Sequence, residues 1–119
     1  NEEDLENIKS ELEDRFGKLS DDLIIYMFEE IFEHKARNIG INKVVQTKNS
    51  IIIYLPHELS EKVDGDYLFT ECLTLTRKIR FGMKNKELMI TLDLINLDKH
   101  FVYYLIDILN ILSKSLKEV

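Results

Sequence analysis

Two stretches of this chain trade a helical apolar period for an alternating one, and that trade limits the fold more than any other feature. Ile51-Ile52-Ile53-Tyr54-Leu55 runs apolar without a break and stops at Pro56, which cannot donate to a strand ladder. Residues 42–47 read as the strand before it. Lys48-Asn49 lies between, and because Asn tolerates positive φ a tight hairpin is expected there. Further on, Ile79, Phe81 and Met83 alternate with Arg80, Gly82 and Lys84. Leu88, Ile90, Leu92 and Leu94 alternate likewise, with Asn85 at the turn, so a second hairpin with one buried face is expected.

Around these hairpins the period is helical. Leu5, Ile8 and Leu12, with Phe16 four residues on, predict an amphipathic helix over 2–15, closed by Gly17. Ser20-Asp21-Asp22 then supplies an N-cap and first-turn acids for a helix over about 21–39. Leu23, Met27, Ile31 and Phe32 form one stripe on it, widened by Ile24, Phe28 and Ala36, so this helix is expected to be central. Gly40 stops it, with Lys35 and Arg37 near its negative dipole end. Residues 57–66 read as a loop or a short helical turn around Gly65. Leu68, Cys72, Leu75 and Ile79 predict a helix over about 66–76. Asp98 is expected to cap a last helix over about 99–117. Phe101, Leu105, Ile108, Leu112 and Leu116 line one face of it, flanked by Tyr104, Leu109 and Ile111. The order ααββαββα predicts an α+β domain, its antiparallel sheet made of two hairpins packed with about four helices.

Composition agrees. With 119 residues, 45% of them hydrophobic and 32% charged, one soluble globular domain is expected. One Pro and four Gly exclude collagen-like and linker classes. There is no apolar run long enough for a membrane span, and Asn1-Glu2-Glu3-Asp4 begins no signal peptide. The single Cys72 cannot form an internal disulfide, which fits a reducing, cytoplasmic compartment. The first residue is not Met, and a piece of a longer chain is expected. No P-loop, dinucleotide-binding glycine pattern, Cys-x-x-Cys or His-Glu-x-x-His occurs.

Charge divides the chain. Residues 1–14 hold seven acids (Glu2, Glu3, Asp4, Glu6, Glu11, Glu13, Asp14) and one base, Lys9, which accounts for the whole net charge of −6. The body is neutral. Residues 1–18 are therefore read as an acidic helix and connector, and 19–119 as a single globular domain. An acidic segment repels phosphate backbones and attracts a basic protein surface, and it is equally what a solvated helix face looks like. The opposite sign clusters once: Arg77, Lys78, Arg80, Lys84 and Lys86 have no acid among them. They could contact nucleic acid, or they could protect an edge strand from aggregation.

Candidate chemistry is sparse. Glu30 and His34 share a helical face with Glu33 adjacent, but no third metal ligand stands at a recognisable spacing. His57 and His100 are isolated at element boundaries and read as structural or solvated. Cys72 falls on an apolar stripe, where a buried inert thiol is expected. Asp93 is out of phase with Leu92 and Leu94 and is expected to face solvent. Tyr103 and Tyr104 read as half-buried helix aromatics. No nucleophile, base and orienter are brought together, so no enzyme active site is predicted.

One stretch stands apart. In Glu11-Leu12-Glu13-Asp14-Arg15-Phe16-Gly17 an acid pair, an Arg and an aromatic converge on a helix end. E-L-x-D-R-F-G, a polar turn, then a long apolar helix closing with Lys35 and Gly40-Ile41 resembles the C-terminal domain of bacterial transcription-repair coupling factors. The hairpin that follows in that family corresponds to residues 42–55. Ser20 stands where the family usually has Pro, and Ser is also a good N-cap. The resemblance covers nearly the whole chain in element order, and its specific residues lie within 11–41.

The resemblance implies a parent protein that is an ATP-driven double-stranded-DNA translocase. Such a parent releases stalled RNA polymerase and recruits the excision-repair protein UvrA. It implies that this domain holds no cofactor, ATP and Mg belonging to the parent's motor domains. The domain's implied task is autoinhibitory: it docks on the UvrB-like N-terminal module of the same chain and masks UvrA binding. Glu11 and Asp14 would pair with basic residues of that module, with Arg15 and Phe16 shaping the contact. The alternative is a nucleic-acid-binding module using residues 77–86.

Overall fold

A computed structural model describes residues 2–117, with side chains from Glu6 onward. The elements are α1 (Glu2–Phe16), α2 (Asp21–Ile39), β1 (Lys43–Gln46), β2 (Ser50–Leu55), α3 (His57–Lys62), α4 (Gly65–Leu75), β3 (Ile79–Lys84), β4 (Glu87–Asp93) and α5 (Phe101–Ser115). The expected α+β class, the two hairpins and their antiparallel sheet are all present. Among the described residues there are five helices where about four were expected, the stretch read as a loop or a short helical turn making a turn and a half of helix over 57–62 before α4. Leu5, assigned by spacing to the α1 stripe, lies outside the described side chains.

The four strands are ordered β1-β2-β4-β3, each antiparallel to its neighbour. The second hairpin is therefore laid so that β4 pairs with β2, leaving β1 and β3 as the two edges. One face of the sheet carries Ile51, Ile53 and Leu55 from β2 and Leu88, Ile90 and Leu92 from β4, all buried. On the other face Ile52 pairs with Thr91 and Tyr54 with Met89, and these side chains are only half-buried. The alternation that announced the strands thus has one tightly packed side, as an antiparallel sheet with one face covered requires.

The covering element is α5. Val102, Tyr104, Leu105, Ile106, Ile108, Leu109, Leu112 and Ser115 are buried, which leaves almost no solvent stripe. Both α2 and α4 pack against it. The centre is therefore α5, and not α2 as the breadth of the α2 stripe suggested. On α2 burial narrows to Ile24, Phe28, Phe32 and Ala36, an i, i+4 row, while Leu23 and Tyr26 are exposed. Of the three remaining residues of that stripe, Met27 and Ile31 are half-buried, Ile31 packing against the core, and Leu23 faces water.

Local chemistry explains most boundaries. Ser20 Oγ accepts from Leu23 N–H at 3.2 Å, the cap that the sequence promised in place of Pro. Gly40 adopts φ 108°. Its N–H reaches Arg37 O at 3.1 Å, and Ile41 N–H reaches Ala36 O at 2.9 Å, so a left-handed cap closes α2 and turns buried Ile41 into the core. The β1–β2 turn departs from expectation, since Asn49 does not take positive φ. Thr47 Oγ1 accepts instead from Asn49 N–H (3.3 Å) and Ser50 N–H (3.1 Å), a side-chain turn that needs no left-handed residue. At α5, His100 Nδ1 accepts from Val102 N–H at 3.1 Å and takes the capping place assigned to Asp98. The Asp98 carboxylate accepts instead from Tyr104 O–H. Ser60 Oγ donates to Leu55 O and accepts from Leu88 N–H, both at 2.9 Å, pinning α3 between β2 and β4.

Two stability outcomes follow. The β3–β4 turn holds Asn85 at φ 52° and Lys86 at φ 65°, a pair of left-handed residues that favours Asn-Gly. Lys86→Gly is expected to stabilise the fold by about 0.5–1 kcal/mol, read as a higher urea midpoint at unchanged slope. Leu109→Ala, in contrast, deletes a fully buried side chain on α5 and is expected to cost about 3 kcal/mol in the same assay.

Candidate functional site

The E-L-x-D-R-F-G residues occupy the end of α1, a helix with no extensive packing against any other element. Gly17 closes it at φ 80°, its N–H bonded to Glu13 O at 2.9 Å. Only residues 17–20 separate it from α2. Within that connector Leu19 packs against the core and Ser20 caps α2, so the arm leaves the body from a fixed point.

Glu11, Asp14 and Arg15 are all exposed. At spacings of three and four residues they share one side of the helix. Together with Asn7, Ile8 and Ser10, the two acids line a shallow groove along α1. Phe16, at the end of the helix, is 71% exposed and does not plug the core. Among the described residues, none of these four side chains makes a hydrogen bond or an ion pair. An aromatic ring, two carboxylates and a guanidinium thus stand in water at one helix end, uncompensated by the body.

The remaining sequence candidates fall into structural places. His34 Nε2 meets Asn38 Nδ2 at 3.2 Å, and Glu30 makes no pair with it. Among the described residues no three His, Cys, Asp or Glu side chains are grouped as metal ligands. His57 Nε2 lies 2.9 Å from Glu61 Oε1, an exposed pair one turn apart that contributes little. Asp93 is half-buried, where solvent exposure was expected, because its Oδ1 accepts from Ile95 N–H at 3.0 Å and holds the chain leaving β4. Of the basic run, Arg80 and Lys84 lie on edge strand β3, and Lys86 sits in the turn. Lys78 Nζ donates to Ile95 O at 2.8 Å.

Sequence reasoning missed two surfaces. A groove of about 770 Å³ opens between α2, β1 and α5, floored by Phe32, Ile41, Ile51 and Leu105, with Glu33 and Lys43 among its lining residues. An exposed apolar cluster also joins Phe69 and Leu73 of α4 to Phe81 and Met83 of β3. Met83, expected on the buried face, is 63% exposed at the far end of edge strand β3. The groove draws residues from elements distant in sequence, and the cluster depends on how α4 and the neighbouring β3 fold onto each other, which the spacing within either does not announce.

Burial and a hydrogen bond shift two groups. Burial chiefly, and then the neighbouring Glu71 carboxylate, pushes the Cys72 thiol up to about 12. Such a thiol is protonated and inert at neutral pH. It is expected to resist a disulfide reagent in the folded protein and to react fully only in denaturant, as a thiol-release assay would read. The bond to Asp98, then burial and the Asp98 charge, push the Tyr104 phenol up to about 12 from 10. The native state thus favours the protonated phenol. Its contribution is complete below pH 10 and is lost as pH rises toward 12. Chemical denaturation across that window is expected to show falling stability, with the decline reduced in Tyr104→Phe.

These features define a compact α+β body bearing an exposed acidic arm. The family model for the TRCF domain matches residues 1–65, over half of the chain, and the chain belongs to that family. The crystal structure of a C-terminal domain of transcription-repair coupling factor has the same fold. It superposes with a TM-score of 0.64 at 20% identity, covering 93% of this chain and 67% of that one. No curated protein matches the chain in sequence.

Proposed function

We propose that this chain is the C-terminal regulatory domain of a transcription-repair coupling factor and acts as an autoinhibitory clamp within its parent. The carrying observation is the end of α1, where Glu11, Asp14, Arg15 and Phe16 stand exposed on a helix the body does not cover. Its partner is the basic UvrB-like N-terminal module of the same protein, and the docked domain masks the surface that binds UvrA. The parent is a bacterial, cytoplasmic ATP-driven DNA translocase that releases stalled RNA polymerase. Translocation and polymerase engagement release the clamp. The domain is not itself an enzyme and holds no cofactor, ATP and Mg serving the motor elsewhere in the parent.

The physics suits a releasable lock. Ion pairs at an exposed helix end steer docking and set its orientation, but each contributes at most about 1 kcal/mol. One desolvated aromatic adds more, as anchor residues do. Tethering supplies an effective concentration in the roughly millimolar range, so a weak contact keeps the closed state populated. Motor-driven strain can then open it.

Titration calorimetry between this domain and the parent's N-terminal module is the direct test. Binding that weakens with salt is expected, with at least a tenfold loss for Glu11→Lys combined with Asp14→Lys, and a loss of similar size for Phe16→Ala at unchanged salt dependence. Absence of heat at several hundred micromolar, or binding indifferent to the charge reversal, would sink the clamp.

A further inference from the structure

The two edges of the sheet are guarded differently. Arg80 and Lys84 stand along β3, and long cations on an edge strand resist the addition of another strand. Edge strand β1 carries one base, Lys43, whose ammonium lies 4.5 Å from the centre of the Tyr54 ring, drawn onto the neighbouring strand. No Pro and no acid occur in Lys43-Val44-Val45-Gln46. The phase of the ladder shows which backbone groups this edge offers. Thr47 N–H bonds Ser50 O at 2.8 Å, and Leu94 N–H bonds Asn49 O at 2.9 Å. Bonded pairs alternate along an antiparallel ladder, so Lys43 and Val45 bond β2, while Val44 and Gln46 point their N–H and C=O groups away from the sheet.

Side chains on that edge have room beside them. Val44 and Gln46 pair with Ile53 and Ile51, and so share the inner face of the sheet with these two buried residues. Val44 is nevertheless 41% exposed, where the groove between α2, β1 and α5 opens beside it. In a strand added antiparallel to β1, the residues bonded to Val44 and Gln46 lie directly opposite them, with side chains on the same face. Those side chains lie over the groove. Backbone pairing and an apolar floor thus ask for the same residues, every second one of an extended segment. The α2 wall carries both signs, Glu29 and Glu33 with Arg37, so the backbone and not charge selects the occupant. A docked helix would leave the outward groups of β1 unpaired. A second copy of β1 is a poor match, since it would set one Val and one Gln over the groove. Four-residue strands also bury far less than the roughly 800 Å² per partner of a stable dimer.

We propose that β1 accepts an extended segment of a partner protein as a fifth strand, antiparallel to it, with apolar side chains at alternate positions seated in the groove. The groove shares no residue with the end of α1, so strand addition does not compete with docking of the acidic arm.

The test is a nitrogen-15 NMR titration of the 119-residue chain with designed peptides. One peptide has Val at alternate positions, Thr between them and Lys at both ends. Its counterpart has the same side chains with the Val backbone nitrogens methylated, which removes their donors. Saturable shifts along β1 and the facing turns of α2 are expected with the first peptide, and the Val44 and Gln46 amides are expected to become protected from exchange with solvent. The methylated peptide is expected to bind at least tenfold more weakly. Gln46→Pro removes an outward N–H without touching the ladder to β2, and is expected to weaken binding by a similar factor. So is Val44→Glu, which puts a charge beside the groove. Spectra unchanged away from β1 report intact folding, and the methylated peptide tests strand pairing on the unaltered chain. Equal binding of the two peptides means that the groove takes side chains without a strand, and overturns the proposal. Absence of shifts at millimolar peptide, or shifts confined to β3, overturns it as well. Self-association of the chain alone that Val44→Glu abolishes, seen by sedimentation, gives the edge to a second copy and has the same consequence.

Discussion

Everything in this fold depends on burying α5. A helix that is apolar on nearly every side needs cover all round, and three elements provide it. The inner face of the sheet takes one side, while α2 and α4 take two others. Its C-terminal end is stitched in as well. Asp64 N–H bonds Ser115 O and Lys117 N–H bonds Lys62 O, both at 2.7 Å, so the α3–α4 junction closes over the end of α5. Such a core is complete without α1. The arm has nothing left to pack on, and so its polar and aromatic end remains in water. The placement of the candidate site is a consequence of how fully the last helix is satisfied elsewhere.

That same arrangement decides what was legible in the sequence. Strands and hairpins were, because alternation reports one buried face and the residues of a hairpin are neighbours in the chain. Ile51, Ile53 and Leu55 are buried as their spacing requires, and so are Leu88, Ile90 and Leu92. The rank of the helices was not. Apolar width on α2 looked central, yet Leu23 and Tyr26 face water, since breadth of stripe does not say how many neighbours arrive. Caps were readable by residue type and less so by position. Ser20 and Gly40 did as their chemistry suggests, while His100 displaced Asp98 because Asp98 was drawn to Tyr104 O–H. Of the candidate site, E-L-x-D-R-F-G was readable as a local string. That its residues stand exposed together depends on the missing packing of α1, which no spacing encodes. The groove beside β1 and the α4–β3 cluster were invisible because each is made by packing between elements, which the spacing within one element does not report.

Charge gives the domain a direction. Its net −6 resides in the first 14 residues, on a helix with little packing on the body, and bases gather in and around edge strand β3. A neutral globule carrying separated patches of opposite sign orients itself in the field of a larger protein before contact. Membership of the TRCF domain family sets that property in a repair context. A weak, orientable contact made strong by tethering is switched with little work, whereas a large apolar interface is not.

The most direct measurement is made on the intact parent. UvrA binding to the full-length protein, wild type against Glu11→Lys with Asp14→Lys, reads the clamp in its working setting. The account requires the reversed protein to bind UvrA tightly without DNA or polymerase, while the wild type binds it weakly. Equal UvrA affinity for both proteins, with both correctly folded, contradicts it.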